Sequence, residues 1–163
     1  MTYAIRPYHD GDAEALSALS LAAINVVGAN DYSREQVDAW AFRHGGAAMY
    51  RKRSSTGHMI FVAVDETDTP VAYALLEPDG HLDRLYNHPD HTRQGLAQRL
   101  LAEAEAHART LGLDRLYTEA SELARPTFGR AGYAITQRRN FTIEGPDGVG
   151  VPIHNYAMEK RLG

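Results

Sequence analysis

The sequence contains no cysteine. That absence excludes disulfides, thiolate zinc sites and cysteine nucleophiles together. Charge of one sign is also lacking: 17 Lys and Arg stand against 21 Asp and Glu, a net charge of −4. A nucleic-acid partner is therefore not expected. No stretch approaches the ~18 consecutive apolar residues of a membrane-spanning helix, and the mixed segment Met1 to Asp10 has no apolar run. No membrane partner is expected, and the reading is a cytoplasmic protein. Nucleotide fingerprints are missing too, since neither Gly-x4-Gly-Lys-Ser/Thr nor Gly-x-Gly-x-x-Gly after a strand occurs.

What is present has the balance of a folded domain. Hydrophobic residues make up 44% and charged residues 23%, which excludes disorder. The 163 residues fit a single domain spanning 1–163. Histidine is plentiful, but the closest pair, His88 and His91, has Pro89 between them. Proline forbids the helical geometry such a pair needs, so no metal is expected. The basic runs Arg51-Lys52-Arg53 and Arg138-Arg139 read first as solvated faces.

Periodicity divides the chain. Tyr3 to Pro7 reads as a short strand. A helix follows over 12–27, with Leu16, Leu19, Ala23 and Val26 as its apolar stripe. Ser33 and Gln36 have capping-box spacing and open a second helix through Trp40. A third short helix fits 47–53. Met59 to Val64 is a continuous apolar run, as a strand buried on both faces shows. Val71 to Leu76 returns as its hairpin partner.

His81 to Asn87 reads as a further strand with a slip of phase. Leu82 and Leu85 are three apart, which strict alternation cannot place on one face. A bulge near Asp83-Arg84 would restore it, and an edge strand with one exposed leucine would explain it equally well. From Gly95 the longest helix carries Leu96, Leu100, Leu101, Ala104, Ala108 and Leu111 on one face, with Gly112 as its stop. A strand over 113–119 after a helix implies a crossover and a parallel pair. Ser121 to Arg130 reads as a helix. Tyr133 to Ile143 and Val149 to Met158 read as a terminal hairpin.

The chemistry concentrates where the strand ending at Asn87 turns at Pro89-Asp90 into the long helix. Gly95 stands at the helix start and Ala97 is small. Free N–H groups from Arg93 to Gln98, with the helix dipole, make a site for a phosphate-like anion.

At this stretch, Thr92-Arg93-Gln94-Gly95-Leu96-Ala97, the sequence resembles the GNAT superfamily of N-acetyltransferases. That family's acetyl-CoA loop reads Gln/Arg-x-x-Gly-x-Gly/Ala. Gly95 and Ala97 match, and Thr92 departs at the first position. A second block, Ser121, Ala124, Phe128, Gly132 and Tyr133, resembles the family's last helix, and the order of elements is similar from Tyr3 to Lys160. The C-terminal part is similar to a bacterial branch whose acceptors are mostly unassigned.

The resemblance implies a mixed α/β fold of three layers: a mostly antiparallel, splayed sheet of about six to seven strands flanked by about four helices. It implies acetyl-CoA as co-substrate, no metal, and a homodimer as a common state. Leu85, Tyr86 and Asn87 would pair with the pantetheine arm, and the amides of Arg93, Gln94, Gly95, Leu96, Ala97 and Gln98, with Thr92, would hold the pyrophosphate. Ser121 would bond the pantetheine, with Ala124 leaving it room. The bulge would lie where the family splays its strands.

The implied activity is transfer of an acetyl group to a primary amine of a small molecule or peptide by direct attack. The family's usual tyrosine acid is replaced by Phe128. Tyr117 and Tyr86 are alternative acids, and Glu119 and Asp83 alternative bases. Trp40 and Tyr32 would wall the acceptor site. The competing reading is a CoA-binding sensor domain without chemistry, which Phe128 favours. A third is transfer to a protein amine.

Overall fold

The computed structural model describes residues 2–163. Seven strands and five helices follow one another: β1 (Ala4–Pro7), α1 (Ala13–Val26), α2 (Arg34–Arg43), α3 (Ala47–Ser55), β2 (Met59–Val64), β3 (Pro70–Leu76), β4 (Leu82–Asn87), α4 (Leu96–Thr110), β5 (Arg115–Ala120), α5 (Arg125–Arg130), β6 (Ala134–Glu144) and β7 (Gly150–Arg161). Short 3-10 turns precede and follow α1 and precede α4. The strands form two antiparallel sheets, β1-β2-β3-β4 and β5-β7-β6. The expected mixed α/β fold is thus observed, with one helix more than the resemblance implied.

The continuous apolar runs of β2 and β3 have a plain cause, because both faces of the first sheet are covered. Ile60, Val62, Val64, Tyr73 and Leu75 face α1 and α3, in a core with Leu16, Leu19 and Tyr50. Their alternates Phe61, Ala63, Ala72, Ala74 and Leu76 face α4. Leu96, Leu100, Leu101, Ala104 and Ala108 form the single stripe that α4 lays on them. Leu111 does not continue that stripe; it is half exposed at the C-cap of α4, just before Gly112 turns the chain at φ +76°. In α1 the expected stripe is likewise corrected at its end. Val26 is exposed and Ile24 buried, since the helix rotates its face toward α2.

The capping box of Ser33 and Gln36 forms as expected and opens α2. The last helix is shorter than expected, beginning at Arg125, because Ser121 works one turn earlier. Its hydroxyl accepts the Ala124 N–H (3.1 Å) and its carbonyl the Arg125 N–H (2.9 Å). The helical run Asp10–Asn30 holds no 18 consecutive apolar residues, yet by length and average composition it is apolar enough to cross a membrane. Its residues Leu16, Leu19 and Ile24 are core residues of this fold.

The phase slip in β4 is a bulge. Leu75 pairs with Arg84 and Leu76 with Leu82, so Asp83 has no partner opposite it. β4 is also the sheet edge. The expected parallel pair of β4 and β5 shrinks to one bridge, His81 with Tyr117.

Candidate active site

β4 and β5 are tied at one end and open at the other. Tyr117 N–H donates to the Gly80 carbonyl (3.1 Å), and Thr118 Oγ1 donates to the Leu82 carbonyl (2.7 Å). Beyond these ties the strands part, because the bulge at Asp83 turns β4 away while β5 pairs with β7. Two clefts occupy the gap. One, of about 330 Å³, is lined by Leu85, Tyr86, Asn87, Thr92, Arg93 and Gly95 to Gln98, with Ser121, Ala124 and Trp40. The other, of about 310 Å³, is lined by Asp83 to Tyr86, Thr118 to Ser121, Phe128, Tyr32, Trp40 and residues of β6 and β7. Trp40, Leu85, Tyr86, Ser121 and Ala124 line both, so the clefts meet.

The first cleft ends at the start of α4. Arg93 (φ 60°) and Gly95 (φ 74°) are both left-handed, which folds the loop tightly before the helix. A Cβ on Gly95 would meet nothing within 4 Å, so the backbone there is open to the cleft. Arg99 is the first amide of the helix to turn back, onto the Gly95 carbonyl (3.2 Å). The amides from Arg93 to Gln98 have no acceptor among the described residues. Free N–H groups at a helix start, next to Arg93, fit a pyrophosphate in charge and geometry. Gln98 also fixes the wall opposite, its Nε2 donating to the Thr127 carbonyl of α5 (3.0 Å). Of the expected loop residues, Gln94 alone is not a lining residue.

The other expected residues separate. Glu119 lines the second cleft and pairs with His81 (2.8 Å). Burial pulls His81 down, but Glu119 and then Glu77 more than reverse this and raise it to about 9. Asp83 also lines that cleft, with Oδ2 held by Arg53 (2.5 Å). Tyr117 is not brought to the cleft, a correction to its candidacy as acid. Its hydroxyl donates to Asp79 and its ring stacks on His81. Tyr86 does line both clefts, and burial pushes its phenol up to about 12. Phe128 is buried, edge-on to Tyr133 at 5.0 Å. The Tyr133 hydroxyl is buried with no partner and lies outside both linings.

Tyr32 lines the second cleft with its ring while its hydroxyl is engaged. It accepts the Glu122 N–H (2.8 Å) and donates to the His154 carbonyl (3.1 Å). Trp40 packs edge-on to Tyr32 at 5.7 Å.

Three features were missed in the sequence. Arg43 and Arg84 put cationic side chains in the second cleft. Arg53, read as part of a solvated run, bonds both Glu77 and Asp83 at 2.5 Å. Glu77, His81 and Asp83 bring metal-capable atoms within 4.8 Å of one another. Arg53 already supplies the cation they surround. Glu77, His81 and Asp83 are neighbours around the β3–β4 turn, but Arg43 and Arg53 reach the site from α2 and α3, which no local pattern announces.

A family model described as an acetyltransferase (GNAT) domain matches residues 28–150. The uncharacterized N-acetyltransferase YafP of Escherichia coli (strain K12) is 26% identical over 141 residues, covering 86% of this chain and 87% of that protein. A solved GCN5-related N-acetyltransferase of Rhodopseudomonas palustris is 33% identical, covers 99% of this chain and 97% of its own, and superposes with a TM-score of 0.85. The PaiA N-acetyltransferase of Thermoplasma acidophilum, solved in complex with coenzyme A, shares the fold at a TM-score of 0.78. It is 18% identical, with 99% of this chain and 100% of that one covered.

Proposed function

The chain belongs to the GNAT acetyltransferases, and on that premise we propose that it moves an acetyl group from acetyl-CoA to a primary amine of a small molecule or peptide. The observation that carries this reading is the gap between β4 and β5, opening directly onto the unpaired amides of Arg93 to Gln98. That gap suits an extended arm. The outer edge of β4 can pair with it as with an added strand, and Ala124 keeps the opposite wall low. The free amides and Arg93 then take the pyrophosphate. The thioester supplies an activated acyl group; attack by a neutral amine forms the C–N bond, breaks the C–S bond and releases CoA as thiol.

Glu119, in the second cleft, is our choice to take the amine proton, directly or through one water. His81 holds that carboxylate in place. Tyr86, which lines both clefts and keeps its proton, can donate a hydrogen bond to the leaving sulfur. An alkyl thiol near pKa ~8.5 can also depart as thiolate close to neutral pH.

Titration calorimetry with acetyl-CoA and with CoA tests the first half. Micromolar binding is expected, followed by thiol release with members of a primary-amine panel. Failure to bind either would overturn the assignment. Phe128 favours one alternative, a CoA-binding sensor without turnover. Binding of acetyl-CoA with no thiol release across the panel would select it.

A further inference from the structure

The second cleft contains a largely desolvated cation with no anion of its own. Arg84 follows the bulged Asp83 on β4, and its side chain is only 16% exposed. Its Nη1 bonds to His44 Nε2 and lies 3.3 Å from the Tyr50 hydroxyl. Neither partner is a carboxylate. Burial, then the charge of Arg84 itself, lowers His44 to about 4. The Tyr50 hydroxyl leads on to the hydroxyls of Tyr73 (2.6 Å) and Ser20 (3.2 Å) and back to His44 Nε2 (3.5 Å), none of them a carboxylate.

The nearest carboxylate is Asp83, whose Oδ2 is 3.8 Å from Arg84 Nε. That oxygen is already taken by Arg53 at 2.5 Å. Nη2 of Arg84 has no acceptor among the described residues, and the side chain lines the cleft. Withdrawing a guanidinium from water is costly unless an anion answers it. The planar fork is shaped for a carboxylate taken by two parallel N–H groups.

The surroundings define the rest of such a ligand. Tyr32, Trp40, Tyr86 and Phe141 line the same cleft with rings. Arg43, exposed at the end of α2, adds positive charge to the lining. Arg84 stands immediately before Leu85, where β4 begins to line both clefts.

We infer that Arg84 is the carboxylate anchor of the acceptor, and that the acceptor is an amine carrying a carboxylate and an apolar side chain, the class of the apolar α-amino acids. The inference rests on reading the second cleft as the acceptor side. A carboxylate held by Arg84 places the adjacent amine in the cleft that Glu119 also lines.

The test uses matched ligands that cannot react. Calorimetry compares 3-phenylpropionate with 3-phenylpropanamide, with and without CoA, on the wild type and on Arg84→Gln. The acid is expected to bind the wild type about ten- to a hundredfold tighter than the amide, the span of a hydrogen-bonded charge pair. Arg84→Gln should bring the ratio close to one while CoA affinity stays unchanged. Equal binding of acid and amide to the wild type would overturn the inference, and so would a preference that survives Arg84→Gln. Equal binding in the wild type overturns the inference even if the variant does not fold, and Arg84→Lys, which keeps the charge but loses the fork, is the second variant. Because the wild-type comparison needs neither CoA nor turnover, it is separable from the proposed transfer. Should CoA fail to bind while the acid preference holds, the proposed function falls and the carboxylate site stands. In the transfer assay, phenylalanine should release thiol at least about tenfold faster than 2-phenylethylamine, on the same scale of interaction.

Discussion

Thr118 Oγ1 donates to the carbonyl of Leu82 at 2.7 Å, the last tie between β4 and β5 before the strands part. Thr118 is 4% exposed, so this bond is made away from water. It fixes where the gap begins and how far β4 stands from β5.

Thr118→Val keeps the shape and removes the hydroxyl. It leaves the Leu82 carbonyl without that donor, and stability should fall by about 1–3 kcal/mol. Thr118→Ser should recover most of the loss. Denaturant melts of the three proteins check this. A Val variant as stable as the wild type would show that the tie does not hold the strands.

Gly95→Glu should abolish acetyl-CoA binding. It sets bulk and negative charge at the open face of the α4 start, where the anion is proposed to sit. Gly95→Ala is the companion. Its Cβ meets nothing within 4 Å, but φ +74° costs an L residue about 1–2 kcal/mol. The alanine protein should lose that stability yet bind acetyl-CoA, whereas the glutamate protein should not bind. Calorimetry on both reads the outcome, and unchanged affinity in Gly95→Glu sinks the loop assignment.

Phe128→Tyr should leave acetyl-CoA affinity intact and raise kcat. Phe128 lines the second cleft, so a hydroxyl added there can reach it. An unchanged kcat in steady-state thiol-release assays would mean that departure of the thiolate does not limit the rate.

His81 gives stability a dependence on pH. Its folded value, about 9, lies above the unfolded value of 6.5. A group raised on folding contributes in full below the unfolded value, and the contribution disappears as pH rises through the folded one. Stability should therefore decline from pH 6.5 to about 9 as the imidazolium loses its proton among Glu77, Asp83 and Glu119. His81→Gln should flatten that decline and cost about 1.5–3 kcal/mol at pH 6, the worth of a hydrogen bond between charged groups. Melting curves across the range decide it; a variant that declines as steeply as the wild type refutes the role.

The sequence by itself determined what depends on neighbours along the chain. The apolar runs of β2 and β3 announced strands covered on both faces. The stripe from Leu96 to Ala108 announced the long helix, and the spacing of Leu82 and Leu85 announced an irregularity that could be a bulge or an exposed edge, which pairing across β3 resolves as a bulge at Asp83. The free amides from Arg93 to Gln98 were legible for the same reason, since they are consecutive at a helix start.

Only the tertiary structure decided which side chains share the second cleft. Tyr117 and Glu119 are two apart on one strand and read alike in sequence. The bridge between β4 and β5 ties the tyrosine to Asp79 and leaves the carboxylate in the cleft. Arg53 read as part of a solvated run, and Arg84 carried no reading beyond its place at the bulge. Folding gives Arg53 two carboxylates at 2.5 Å and leaves Arg84 hydrogen-bonded to His44 and Tyr50, because Glu77, Asp83, His44 and Tyr50 come from four separate elements or their ends. Periodicity reports which face of an element is buried. It carries no information on which charges meet there, and at this site those meetings decide the chemistry.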